Sequence, residues 1–196
     1  MALTLSSPAF AHNDFIPAQY TCDGDNVSPP LSWSEVPEGT RELVLLLEDP
    51  DAPGGTHGHW VLFAVDPACG GLEEGKVPAG AVGGKNDYGR TDWGGPCPPF
   101  GKARRFIFTL LALSETSGLA EGASPRNDLP QPLSGKVPAP AHLPGKHARH
   151  REHRPAGRTH PARPRAPRHH EARCRSACER RGRLRPPQGR GARAPR

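Results

Sequence analysis

No apolar run in this 196-residue sequence approaches the roughly 20 residues that a membrane-spanning helix requires. The longest, such as Leu43–Leu47 and Trp60–Val65, are far shorter, which excludes a helical membrane protein. Aromatic residues are scarce, at 6%, and hydrophobic residues reach only 34%, too little to bury the whole chain in one core. Long segments free of proline and glycine are missing too, since 25 Pro and 23 Gly punctuate the sequence; a helical bundle or coiled coil is thereby excluded. Met1–Ala11 has no Lys or Arg and is broken by Ser6, Ser7 and Pro8, so no secretory leader is expected. The five cysteines, Cys22, Cys69, Cys97, Cys174 and Cys178, are odd in number and form no disulfide framework, which points to a reducing cytoplasm.

The formal net charge of +6 conceals two parts of opposite sign. Residues 1–145 carry 9 Lys and Arg against 17 Asp and Glu, a net of −8, and hold every Trp, Phe, Tyr, Val and Ile. Residues 146–196 carry 17 Lys and Arg against 3 acidic residues, a net of +14, and their only large aliphatic side chain is Leu184. Such a segment cannot offset its ordering entropy by burial, so one domain over 1–145 and a disordered basic tail over 146–196 are expected.

Within the acidic part, Leu43–Leu47, Trp60–Val65 and Phe106–Leu113 read as central strands separated by Pro, Gly and Asp. Their apolar character is continuous rather than alternating, so both faces must be covered. No amphipathic helix lies between them to do it. The fold expected is all-β, a Greek-key-like β-sandwich with long Pro/Gly-rich loops. The connections 48–59 and 66–104 are too rich in Gly, Pro and Asp to be core, and loops of that length usually carry function. They bring Asp49-Pro50-Asp51-Ala52-Pro53, His57-Gly58-His59, Gly94-Gly95-Pro96-Cys97-Pro98-Pro99 and Arg104-Arg105 to strand ends. Prolines stiffen these loops, holding carboxylate, imidazole and guanidinium in place before a ligand arrives. Taken alone, Asp49 and Asp51 read as turn formers and His59 as a structural histidine; in combination they form a candidate anion site.

These residues, with Tyr20-Thr21-Cys22-Asp23-Gly24, Ser28-Pro29-Pro30-Leu31, Trp33, His59-Trp60-Val61 and Arg105-Phe106-Ile107-Phe108, follow an ordered pattern. It resembles the phosphatidylethanolamine-binding protein family, in its bacterial and archaeal branch of Raf kinase inhibitor-like proteins, over most of residues 3–123. The resemblance implies a β-sandwich with a small pocket at one end for phosphate-like groups or a phosphoethanolamine head. Its ligand-binding residues would be Asp49, Asp51, His59, Pro96, Cys97, Pro98, Arg104 and Phe106. Asp49 and Asp51 would orient His59 or accept an ammonium group.

The chain departs from the family pattern at Arg104, where a His is expected, and at Phe106, where Tyr is common. A permanently charged guanidinium keeps the site anion-selective above the pH at which an imidazole neutralises, which weakens the pH dependence. Pro130, Pro132, Pro138, Pro140 and Pro144 interrupt the family's closing helix and strand, and nothing after Gly145 resembles it. Arg, Pro, Ala, Gly and His are what GC-rich codons yield out of frame, so the tail, with the region from Pro125, is read as a shifted reading frame.

The function expected is non-catalytic binding of a phosphate-bearing small molecule or phospholipid headgroup, with no cofactor and no metal. A kinase as protein partner follows from the family resemblance alone, and homodimerisation is left open. The alternative is a nonspecific nucleic-acid or polyanion binder acting through the tail, which also has the charge to lie against the acidic domain. A hydrolase using Cys97 or His59 ranks lower, because no Gly-x-Ser-x-Gly, P-loop or His-Glu-x-x-His pattern occurs. His169, His170, Cys174 and Cys178 have zinc-like composition, but the surrounding arginines repel a divalent cation.

Overall fold

The computed structural model describes residues 2–124 and 140–149. Their eight strands make two antiparallel sheets. The smaller contains β1 (Thr4–Ser6), β2 (Leu31–Ser34) and β5 (Gly71–Leu72), in the order β1-β2-β5. The larger contains β3 (Glu42–Asp49), β4 (His57–Val65), β6 (Val82–Gly83), β7 (Arg104–Leu113) and β8 (Ala141–His147), in the order β6-β4-β3-β7-β8. Short 3-10 turns at Ala18–Tyr20 and Pro67–Cys69 are the only helical elements among the described residues.

The continuous apolar runs are explained by burial on both sides of the larger sheet. Leu43, Leu45, Leu47, Trp60, Leu62, Phe106, Phe108 and Leu110 face Leu5, Leu31, Trp33 and Leu72 of the smaller sheet, forming the sandwich core. Val44, Leu46, Val61 and Phe63 point the other way and are covered by Val82, Leu111, Leu119 and Ala123. Each fully buried side chain of this size contributes roughly 1.5–3 kcal/mol. The long connection after β4 returns β7 to the free side of β3, the crossed order expected of a Greek-key-like sandwich.

Two irregularities in β4 shape its ends. Leu43 pairs with Val65 but Leu45 with Leu62, and in this bulge Ala64 takes a left-handed φ of 52° while its N–H donates to buried Glu42. At the other end Leu47 pairs with Trp60 and Glu48 with Gly58, so His59 is an extra residue in the strand. A bulge of this kind re-aims a side chain. Here it turns His59 toward the end of the core.

Two expectations need correction. The connection 66–104 is not wholly outside the core: it carries β5 and β6, packs Trp93 on the core and buries Asn86 and Gly94–Pro96. The closing strand does form despite Pro144. Pro144 directs its carbonyl to the outer edge of β8, away from β7, so the N–H it lacks is not taken from the β7 ladder, a setting that accepts proline. Residues 13–16 line its outer edge through Asn13 N–H to Pro144 O, at 2.8 Å, and Ile16 N–H to Lys146 O, at 2.8 Å. The strand therefore runs past Gly145 to His147, and Arg149 still bonds the body of the domain, its carbonyl accepting from Gly101 N–H at 3.2 Å. The expectations of disorder, zinc-like composition, polyanion contact and a frame change in the tail, and of an interrupted helix near 133–137, lie outside the described residues.

Candidate functional site

Asp49 ends β3 and is 2% exposed. It lies two residues beyond Leu47, on the inner face of the larger sheet, opposite His57 of β4. Its Oδ1 accepts Asp51 N–H at 2.9 Å, which forms the tight turn after the strand. Its Oδ2 accepts Arg104 Nη1–H at 3.1 Å, and Arg104 begins β7. Asp51 is engaged separately: Arg105 donates its backbone N–H at 2.9 Å and its guanidinium at 2.6–3.3 Å. Side-chain and backbone hydrogen bonds from Arg105 hold the Asp51 carboxyl down at about 2.

His59 is 3% exposed. Its Nδ1–H donates to Gly94 O at 2.8 Å, and because a carbonyl only accepts, this bond fixes the proton on Nδ1. Tyr88 Oη lies 3.4 Å from the same nitrogen. The rings of Phe106, Tyr88 and His57 meet the imidazole edge-on, at centroid separations of 5.2, 5.3 and 5.2 Å. Burial pulls the His59 pKa below its ordinary value and outweighs the opposing Gly94 carbonyl and Asp49 carboxylate, so the neutral ring is favoured.

The loop that supplies Gly94 is built by Asn86, which is 4% exposed. Its Nδ2 donates to His59 O and Asp92 O, each at 3.1 Å, and its Oδ1 accepts from Tyr88 and Arg90 N–H at 3.1 and 3.0 Å. Gly94 and Gly95 have no room for a side chain: a Cβ on the first would strike His59 O and Tyr88, and on the second Asn26 and Tyr20 O. A disulfide between Cys22 and Cys97, with Cα atoms 5.3 Å apart, then ties this loop to the Tyr20–Gly24 segment, beside a Cys22 N–H bond to Pro96 O at 3.2 Å.

Asp49, His59 and Arg104 thus converge at one end of the sandwich. Asp51 joins them through the turn, and Pro96 and Pro98 are buried in the adjoining loop. Three expected roles change. Cys97 is bridged, which removes both a free thiol and the argument for a reducing compartment from unpaired cysteines. Phe106 is fully buried and supports His59 from beneath. The imidazole is oriented by the Gly94 carbonyl, while Asp51 is turned to Arg105. Asn86 and Tyr88 escaped sequence reasoning because an Asn-Asp-Tyr-Gly stretch reads as an ordinary turn. A separate cleft of about 370 Å³ opens on the outer face of the larger sheet, lined by Glu48, Ile107, Thr109, His142 and Pro144 among others.

Comparison with known proteins gives the family. The sequence pattern of the family described as phosphatidylethanolamine-binding protein matches residues 6–147. A UPF0098 protein of Aquifex aeolicus is 45% identical over 149 residues, covering 73% of this chain and 86% of that protein. Another, of Methanothermobacter thermautotrophicus, is 43% identical over 152 residues, covering 75% and 99%. The crystal structure of E. coli YbcL, a member of the mammalian PEBP family, superimposes with a TM-score of 0.67 at 28% identity, covering 76% of this chain and 99% of that one. The match includes β8 as far as His147, two residues beyond the expected boundary. This chain belongs to the phosphatidylethanolamine-binding protein family, in its bacterial and archaeal branch.

Proposed function

We propose that the protein is a non-catalytic binder of small phosphate-bearing ligands, using the end of the sandwich where β3, β4 and β7 meet. The observation that carries this reading is the Asp49–Arg104 pair beside a buried, pre-oriented His59. Arg104 is 19% exposed at its side chain, against 3% for Asp49, so its guanidinium is the outer partner and keeps N–H donors for an anion. The rigid loop holds these groups before the ligand arrives, which lowers the ordering cost of binding. Phosphoethanolamine, or a phosphorylated side chain of a protein partner such as a kinase, presents the required group. Binding rather than turnover is supported by the bridging of Cys97, the thiol best placed by sequence to act as a nucleophile.

Calorimetric titration with phosphoethanolamine tests the reading. Arg104→Gln is expected to weaken binding by roughly tenfold or more, the cost of a lost charge-assisted bond, while thermal melting confirms a folded domain. Undiminished affinity in the folded variant would refute the site.

A further inference from the structure

The two cysteines of the Cys22–Cys97 bridge stand in different settings. Cys22 is half-buried, in a segment that is fastened on both sides of it without the bridge. Thr21 is fully buried, and its N–H and hydroxyl both donate to Ala18 O, at 3.0 and 2.9 Å. Tyr20 Oη–H donates to Glu74 at 2.9 Å, Gly24 N–H donates to Thr21 O at 3.1 Å, and the Asp23 carboxylate accepts from His147 and Arg149 at 3.0 and 2.8 Å. Cys97 is exposed instead. Its neighbours Pro96, Pro98 and Pro99 have no N–H with which to tie the loop down, so the disulfide is what fixes it covalently to the domain. A thiolate opens a disulfide at the sulfur it can reach, and exposed bridges are the labile ones.

We infer that Cys97 is an S-thiolation site, modified by a low-molecular-weight thiol of the glutathione class and restored by Cys22. The incoming thiolate bonds to Cys97 Sγ while the bond between Cys97 and Cys22 breaks, and the electron pair leaves on Cys22 Sγ, which takes a proton from water. The incoming sulfur is oxidised and Cys22 is reduced, so no further oxidant or reductant enters. In the reverse step the Cys22 thiolate, held by its fastened segment, attacks Cys97 Sγ and expels the small thiolate. The modified loop is the one that brings Gly94 O to His59. Thiolation needs no ligand at the strand ends, so the inference stands apart from the function proposed above.

The test adds glutathione to the full chain in its bridged form, stops the exchange with acid and caps the thiols with a maleimide. Peptide mapping, which separates the bridge from Cys69, Cys174 and Cys178, is expected to find glutathione on Cys97 and maleimide on Cys22, in clear excess over the reverse pair. The Cys22→Ser chain has no resolving thiol. With glutathione disulfide it is expected to gain one glutathione on Cys97 and to keep it until dithiothreitol is added, while thermal melting confirms that it is folded. Glutathione on Cys22 with Cys97 capped, or both pairs in equal amount, would overturn the inference. So would a bridge that opens only in denaturant, or a folded Cys22→Ser chain that gains no glutathione on Cys97.

Discussion

Behind Tyr88 and above Phe106, His59 gives up affinity for a proton in order to be buried, and stability should record it. A lowered histidine pKa means that the unfolded chain binds the proton more readily, so stability is complete above about pH 6.5 and declines as pH falls toward the folded value. Asp51 acts in a lower window. Its carboxyl titrates near 2 when folded, against about 3.9 when free, so its contribution is present above about pH 4 and disappears as pH falls toward about 2. Asp23 shifts the same way: burial raises its pKa, but hydrogen bonds from Arg149 and His147 outweigh that. Melting temperatures measured from about pH 8 to 2 should decline over both windows, and Asp51→Asn should flatten the lower one. An unchanged lower limb in that variant would show that the Arg105 contact is not formed in solution. Asp49 and His59 stand out in the sequence because motif and residue type coincide there, and Arg104 because a guanidinium stands where the pattern has a His. The Gly94 carbonyl does not, since every residue has a carbonyl and only the bulge at His59 aims the ring at this one.

At the level of elements, the site is a loop fastened to three strands. The Cys22–Cys97 bridge closes a span of 75 residues, and a loop of that size corresponds to a stabilisation of about 2–5 kcal/mol. Melting with and without a reductant should show a clear drop on reduction, and Cys22→Ser should reproduce it; coincident curves would mean that the bridge does not form. Gly94→Ala should cost about 1–3 kcal/mol by urea denaturation and weaken phosphoethanolamine binding, because its methyl group would press on His59 O and Tyr88. The three central strands were legible from their unbroken apolar runs. The bridge was not, because odd cysteine arithmetic says nothing about which pair three-dimensional folding brings together. Nor was β8: counting prolines overstates their cost when the strand lies at a sheet edge.

For the molecule as a whole, charge is divided between an acidic domain and an Arg-rich C-terminal segment, and the two carry separable expectations. A chain truncated after residue 149 should lose retention on an anionic column at low salt while keeping its affinity for phosphoethanolamine. Parallel loss of both would contradict the assignment of the ligand site to the sandwich. The change of composition falls near residue 145 in the sequence, where Lys146–Arg149 look basic, while in the fold His147 and Arg149 both grip Asp23. The central claim is that Asp49, His59 and Arg104 form one anion-binding end of the sandwich. A crystal structure of the protein soaked with phosphoethanolamine tests it most directly. The account predicts the phosphate against the Arg104 guanidinium; a phosphate seated instead in the outer cleft beside Ile107, Thr109 and His142 would contradict it.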